Sequence, residues 1–176
     1  MVFTGATEII NLLIQSKQLF LRPMFSLILK EINSFLNSLI GYIVIFIFLL
    51  TLGLFLWIFP DSSFNILEAG YANLDPLFVI TPWVYMLLIP AITMRLFSEE
   101  KKTGTIELLL TRPLTELQVV TAKYLAGVIL VLISLLPTFV YYFSVSSISL
   151  PAGNMDHGAI WGSYIGLALL GACFVS

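Results

Sequence analysis

Apolar residues fill Leu39 to Phe59 (LIGYIVIFIFLLTLGLFLWIF), 21 positions without a charge. At 1.5 Å rise per residue they make a helix of about 30 Å, the thickness of a bilayer's hydrocarbon core. Three further runs share this character: Leu77–Phe97, about Tyr124–Phe143 and about Ala159–Ser176. All four read as transmembrane helices. Asp75-Pro76 opens the second with an N-cap residue and a proline at the first helical position. Ahead of the first span the pattern changes. Ile28, Leu29, Ile32, Phe35, Leu36 and Leu39 keep the spacing of one helical face, and Ser26, Lys30, Glu31, Asn33, Ser34 and Asn37 occupy the other. This predicts an interfacial helix that bends into the first span; the alternative is a straight extension of that span. The expected fold class is an all-α integral membrane protein, an N-terminal interfacial helix followed by four transmembrane helices.

Composition agrees. The chain is 59% hydrophobic and 10% charged, with a mean hydropathy of +1.02. Soluble domains average roughly 45–50% apolar and about 25% charged residues, so lipid must be the solvent for most of this chain. A net charge of −2 implies no nucleic-acid partner. The one cysteine, Cys173, lies in an apolar run and has no intrachain disulfide partner.

Charge placement sets an orientation. Lys17, Arg22 and Lys30 precede the first span; Arg95, Lys101, Lys102, Arg112 and Lys123 lie around the connection between the second and third. The other two connections hold no cation and carry Asp61, Glu68, Asp75 and Asp156. By the positive-inside rule the N-terminus and the charged connection are expected in the cytoplasm, with the acidic loops outside. Trp57 and Trp161 then fall at the outer interface, as in an aromatic belt.

Both ends carry expectations of their own. Residues 1–23 show no clear period and no small-residue cleavage site, whereas Met24 opens a regular segment. The first 23 residues are therefore expected to be an N-terminal extension from an upstream start, and 24–176 the membrane domain. The fourth span stops at Ser176 without a polar flank, as expected of a truncated chain.

Several chemistries are missing. No phosphate-binding glycine loop is present, so no ATP site of that kind is expected on this chain. His157, the single histidine, lies beside Asp156 in an outer loop, where a solvated pair is the expected reading. No spacing suits a metal, and no ionisable residue sits between the ends of a span, where ion-coupled transporters bury one. Pro82, Pro90 and Pro137 either break helices or kink them against packed neighbours. Gly158, Gly162 and Gly166 repeat every four residues on one face, a spacing for close helix packing, either within the bundle or between subunits.

The charge that remains is concentrated. Arg95 to Lys123 holds nine of the chain's eighteen charged residues, eight basic plus ten acidic. Thr103-Gly104-Thr105 offers N-cap hydroxyls to a short helix in which Ile106, Leu109 and Leu110 form an apolar stripe. Glu107 and Thr111 lie on its polar side. Pro113 ends it, and Thr115 with Gln118 makes a capping box for a second helix running through Lys123 into span three. A two-turn helix is marginal alone. It needs either the membrane interface or a groove on a soluble partner.

The run Glu99-Glu100-Lys101-Lys102-x-Gly104-Thr105-Ile106-Glu107-Leu108-Leu109-Leu110-Thr111-x-Pro113-Leu114-Thr115, followed by Lys123-Tyr124-Leu125-Ala126, resembles the cytoplasmic loop of ABC type-2 exporter permeases. The segments LLIPAITMRLFSEEKKTGTIELLLTRPL and LKEINSFLNSLIGY resemble more closely the gliding-motility-associated permeases of that family. The resemblance covers Met24 to Ser176. Family permeases have six spans, so it implies a truncated six-helix permease in a bacterial inner membrane. It also implies a second permease copy, or a homologous permease, and nucleotide-binding ATPase subunits that carry ATP and Mg. The chain itself would be no enzyme and hold no cofactor, and its other partner would be membrane lipid. The short helix would be a coupling helix docking on the ATPase. Ile106, Leu109 and Leu110 would anchor it, Glu100 and Glu107 would offer charge partners, and Gly104, Thr105 and Pro113 would shape its ends. A competing reading uses the same helices as a membrane scaffold for a motility or envelope complex, with no substrate crossing.

Overall fold

The computed structural model describes residues 24–60, 64–67, 72–103, 116–149 and 155–176. The extension 1–23 lies outside them. Helix α1 covers 24–36 and α2 covers Leu39–Gly53. Between them Ser38 is extended (φ −105°, ψ 136°), and its hydroxyl oxygen accepts the Ile40 N–H at 3.2 Å. This N-cap satisfies one of the free donors at the start of α2. The bend is tight. A Cβ on Gly41 would stand 2.3 Å from the Phe35 carbonyl oxygen, so the elbow requires a residue without one. The bent arrangement, not the straight extension, is the one observed.

The outer end of α2 widens into a π-turn, Leu54–Ile58. There the Phe59 N–H donates to Leu54 O at 3.0 Å, and the Ile66 N–H reaches back to Leu56 O at 3.0 Å. Buried Asn65 completes the cap, donating to Phe59 O at 3.0 Å and accepting from the Leu67 N–H at 2.9 Å. The carbonyls left at the helix end are thereby used within the protein.

Helix α3, Asp75–Thr103, starts under a different cap from the expected one. Asn73, not Asp75, accepts a backbone N–H, that of Asp75 at 2.8 Å. The helix runs unbroken through Pro82 and Pro90, so neither proline breaks it. Each costs one backbone bond. Neighbouring hydroxyls turn inward on the same turns, Thr81 to Leu77 O at 2.6 Å and Thr93 to Ile89 O at 3.0 Å. Pro137 acts more strongly. It divides α4, Glu116–Leu135, from α5, Phe139–Ile148, through a 3-10 turn at Leu136–Thr138. Helix α6, His157–Val175, is capped by the Asp156 carboxylate, which accepts the Ala159 N–H at 3.1 Å.

Among the described residues four helical stretches are long and apolar enough to cross a membrane: Leu39–Ile58, Asp75–Leu96, Leu117–Ile148 and His157–Val175. No strand occurs among those residues. The protein is thus an all-α, multi-pass membrane protein. The third stretch reaches beyond its most apolar run at both ends, its first turns being the helix expected to run from Thr115 through Lys123. Helix α3 is central. It packs on α2 and α6, while α4 packs on α6 and α3. Phe48, Leu52, Leu77, Tyr85, Ile89, Ile92 and Leu130 are almost wholly enclosed between them. Tyr85 stacks on Phe48 with ring centroids 6.0 Å apart.

Candidate coupling site

Arg95, Lys123 and Lys30 gather at one end of the bundle, and Asp75 and Asp156 lie at the other. The charged end is built from three helices. Leu27 and Ile28 of α1 pack on Ala122 and Ala126 of α4, forming a small apolar cluster apart from the main core. Glu31 lies on that same buried face and is only 4% exposed. The periodic pattern had assigned it to the polar face. Burial instead follows Leu27, Ile28, Glu31 and Phe35, while Phe25 and Leu29 remain exposed. Lys123 explains the shift. Its ammonium group, on a side chain almost as enclosed as that of Glu31, stands 3.9 Å from the Glu31 carboxylate. It donates a hydrogen bond to Leu96 O at 3.2 Å, across 27 positions of sequence. Lys30 approaches the same carboxylate at 3.7 Å from its exposed side.

A second contact closes the arrangement. The Arg95 guanidinium lies over the Phe35 ring, 5.5 Å from its centroid, a cation–π geometry. One helix root is therefore joined to each of the others: α4 to α3 through Lys123, α4 to α1 through Glu31, and α3 to α1 through Arg95 and Phe35. Buried charges are tolerated only when paired and hydrogen-bonded. These are held by one another and by a helix carbonyl.

The two sides of this junction are also the two ends of the charged connection. Helix α3 continues through Thr103, so Thr103 is helical and Glu100 lies in the last turns of α3. Helix α4 resumes at Glu116. Gly104, Thr105, Ile106, Glu107, Leu109, Leu110 and Pro113 lie outside the described residues, as does the Thr115 end of the capping box.

The glycine stripe on α6 is exposed. A Cβ on Gly162 or Gly166 would meet nothing within 4 Å among the described residues, and one on Gly158 would meet only the Asp156 carboxylate, at 3.4 Å. Close helix approach occurs elsewhere. A Cβ on Gly127 would stand 2.8 Å from Val175, and one on Gly171 would stand 2.8 Å from Val131. Those two glycines let α4 and α6 touch. Their sequence surroundings carry no repeat that would have singled them out. Glu31 and Lys123 did leave a signal: each is a lone charge at a position that an apolar helical stripe passes through.

At the acidic end, hydroxyls fasten α5 to its neighbours. Tyr141 donates to Leu49 O of α2 at 3.0 Å, and Gly53 leaves room for its hydroxyl. Tyr164 of α6 donates to Thr138 O at 3.3 Å. His157 is hydrogen-bonded to the Tyr142 hydroxyl at 2.8 Å, while Asp156 caps a helix, so the two form no dyad. No group of residues that could hold a metal ion occurs among the described residues. A groove of about 510 Å³ runs between α2 and α3, lined by Ile47, Phe48, Phe55, Trp83 and Leu87 among others. Its walls are apolar, and Thr51 turns its hydroxyl away into its own helix, to Ile47 O at 2.8 Å.

A family model described as "ABC-2 family transporter protein" matches residues 25–176. No curated protein and no solved structure matches the chain.

Proposed function

The chain belongs to the ABC-2 family of transporter proteins, and on that premise we propose that its charged connection couples a separate ATPase to the membrane helices. The family makes the chain a permease subunit of an ABC exporter, with ATP turnover on a partner. In the proposed cycle, closure of the ATPase subunits around ATP and Mg displaces Gly104–Thr111. Ile106, Leu109 and Leu110 anchor that segment on the ATPase, and Glu100 and Glu107 supply charge partners. The displacement passes to α3 and α4 as a rigid-body motion between two states.

The observation that carries this reading is the hydrogen bond from Lys123 to Leu96 O. It fixes the two flanks of the connection to one another, so a push on the loop moves both spans rather than bending one. The eight-to-none division of basic residues supports a cytoplasmic loop and N-terminus in a bacterial inner membrane. The loop's resemblance to gliding-motility-associated permeases supports a role in that system. A second permease copy, or a homologous one, completes the exporter.

The test is the double variant Glu107→Lys, Leu109→Asp in the full complex. It should lose co-purification with the ATPase, while the membrane helices keep the circular-dichroism signal and thermal transition of the parent. Full retention of the ATPase would end the proposal.

A further inference from the structure

We infer that Glu31 and Lys123 are positioning residues that make α1 a strap, carrying loop movement to α2 as well as to α3 and α4. This rests on the coupling role proposed for the connection. Helix α2 lies far from residues 104–115 in sequence and has no loop of its own at the charged end except the elbow. Four contacts supply a route. Lys123 binds Leu96 O at 3.2 Å, so the roots of α4 and α3 move together. Glu31 stands 3.9 Å from Lys123 and ties α1 to that pair. Phe35 then serves twice. Its ring lies under Arg95 of α3 at 5.5 Å, and its carbonyl oxygen is where a Cβ on Gly41 of α2 would collide, 2.3 Å away.

Each contact resists displacement for a different reason. The ion pair is enclosed, at 4% exposure for Glu31 and 7% for Lys123, so drawing the two charges apart is costly in a setting that water does not reach. The elbow is a backbone-to-backbone contact, with no flexible side chain to absorb movement. Leu27 and Ile28 against Ala122 and Ala126 hold α1 flat on α4. An amphipathic helix needing only a membrane surface would turn its apolar residues to lipid and its carboxylate to water. Here the carboxylate is turned inward, onto the lysine next to the loop.

The experiment uses the full permease with its ATPase in lipid nanodiscs, in a Cys173→Ser background because Cys173 is exposed. Spin labels go on exposed Met94 and Val120 to report the loop flanks, and on exposed Phe46 and Met94 to report α2 against α3. Both distances are compared without nucleotide and with ATP and vanadate. With the strap intact α2 travels with α3 and α4, so in the parent nucleotide should leave both distances unchanged. Glu31→Gln should leave the first distance unchanged and give the second a nucleotide-dependent shift. Gly41→Ala, which pushes α1 off α2 with the ion pair intact, should give the same shift in the second pair alone. Lys123→Met, which also cuts the tie between the flanks, should give both pairs a shift, and Lys123→Arg, which keeps charge and donor, should behave as the parent. Thermal unfolding of each variant identifies loss of fold. A shift of the first pair in Lys123→Met with no shift of the second in Glu31→Gln and Gly41→Ala overturns the strap. If neither pair shifts even in Lys123→Met, the coupling role of the connection fails and the strap fails with it.

Discussion

Glycine acts at single positions here in two opposite ways, and the difference is measurable. Gly127 and Gly171 lie where α4 and α6 touch, with a Cβ contact of 2.8 Å awaiting any larger residue. Gly127→Ala or Gly171→Ala should therefore cost about 1–3 kcal/mol through overpacking, read as a lowered thermal transition in detergent. Gly162→Ala and Gly166→Ala meet open space and should change the subunit's own stability by less than about 0.5 kcal/mol. Among the described residues the repeat of small residues thus lies on a side of α6 that no neighbour covers. Periodicity found the repeat because it counts spacing. It missed Gly127 and Gly171 because what matters there is the neighbour, Val175 or Val131, and sequence spacing does not name a neighbour. Glu31 differs: spacing places it on the line from Leu27 to Phe35, and only its charge puts it on the polar face.

At the scale of elements, helix type and number followed from the apolar runs, because a span in lipid must satisfy its own backbone. Boundaries followed less well. Hydropathy stops where charge begins, yet α3 continues to Thr103, since polar residues with good helix propensity extend a helix already nucleated in the membrane. The start of α4 at Glu116, by contrast, agrees with the capped helix expected from Thr115. The prolines show a related limit. Pro82 and Pro90 stay within an unbroken α3, whereas Pro137 divides α4 from α5; from sequence, kinks packed by neighbours are the commoner reading of all three and a broken helix the alternative. The elbow is the best-specified joint. Ser38→Ala removes the acceptor for the Ile40 N–H and should cost about 1 kcal/mol, seen as a lower thermal transition with the helix content unchanged.

For the whole molecule, the distribution of charge divides two jobs between two ends. Hydroxyl bonds at the acidic end join α5 to α2 and α6, and ionic contacts at the other end join α1, α3 and α4. The third span connects both, and its length is unusual. Leu117–Ile148 comprises 32 residues, a contour of about 48 Å, against a hydrocarbon core of about 30 Å. The surplus lets the first turns of α4, with Lys123 and its partner Glu31, stand in the headgroup region. That height above the membrane is a variable set by lipid, not by protein. A bilayer of longer acyl chains would rise around the junction and draw the pair toward hydrocarbon, at a cost of fractions of a kcal/mol for each ångström of mismatch. Nucleotide-driven movement of α2 should weaken as acyl length increases in nanodiscs, with ATPase binding unchanged. On the proposed coupling, bilayer thickness would then act as a throttle on α2, independent of the ATP supply.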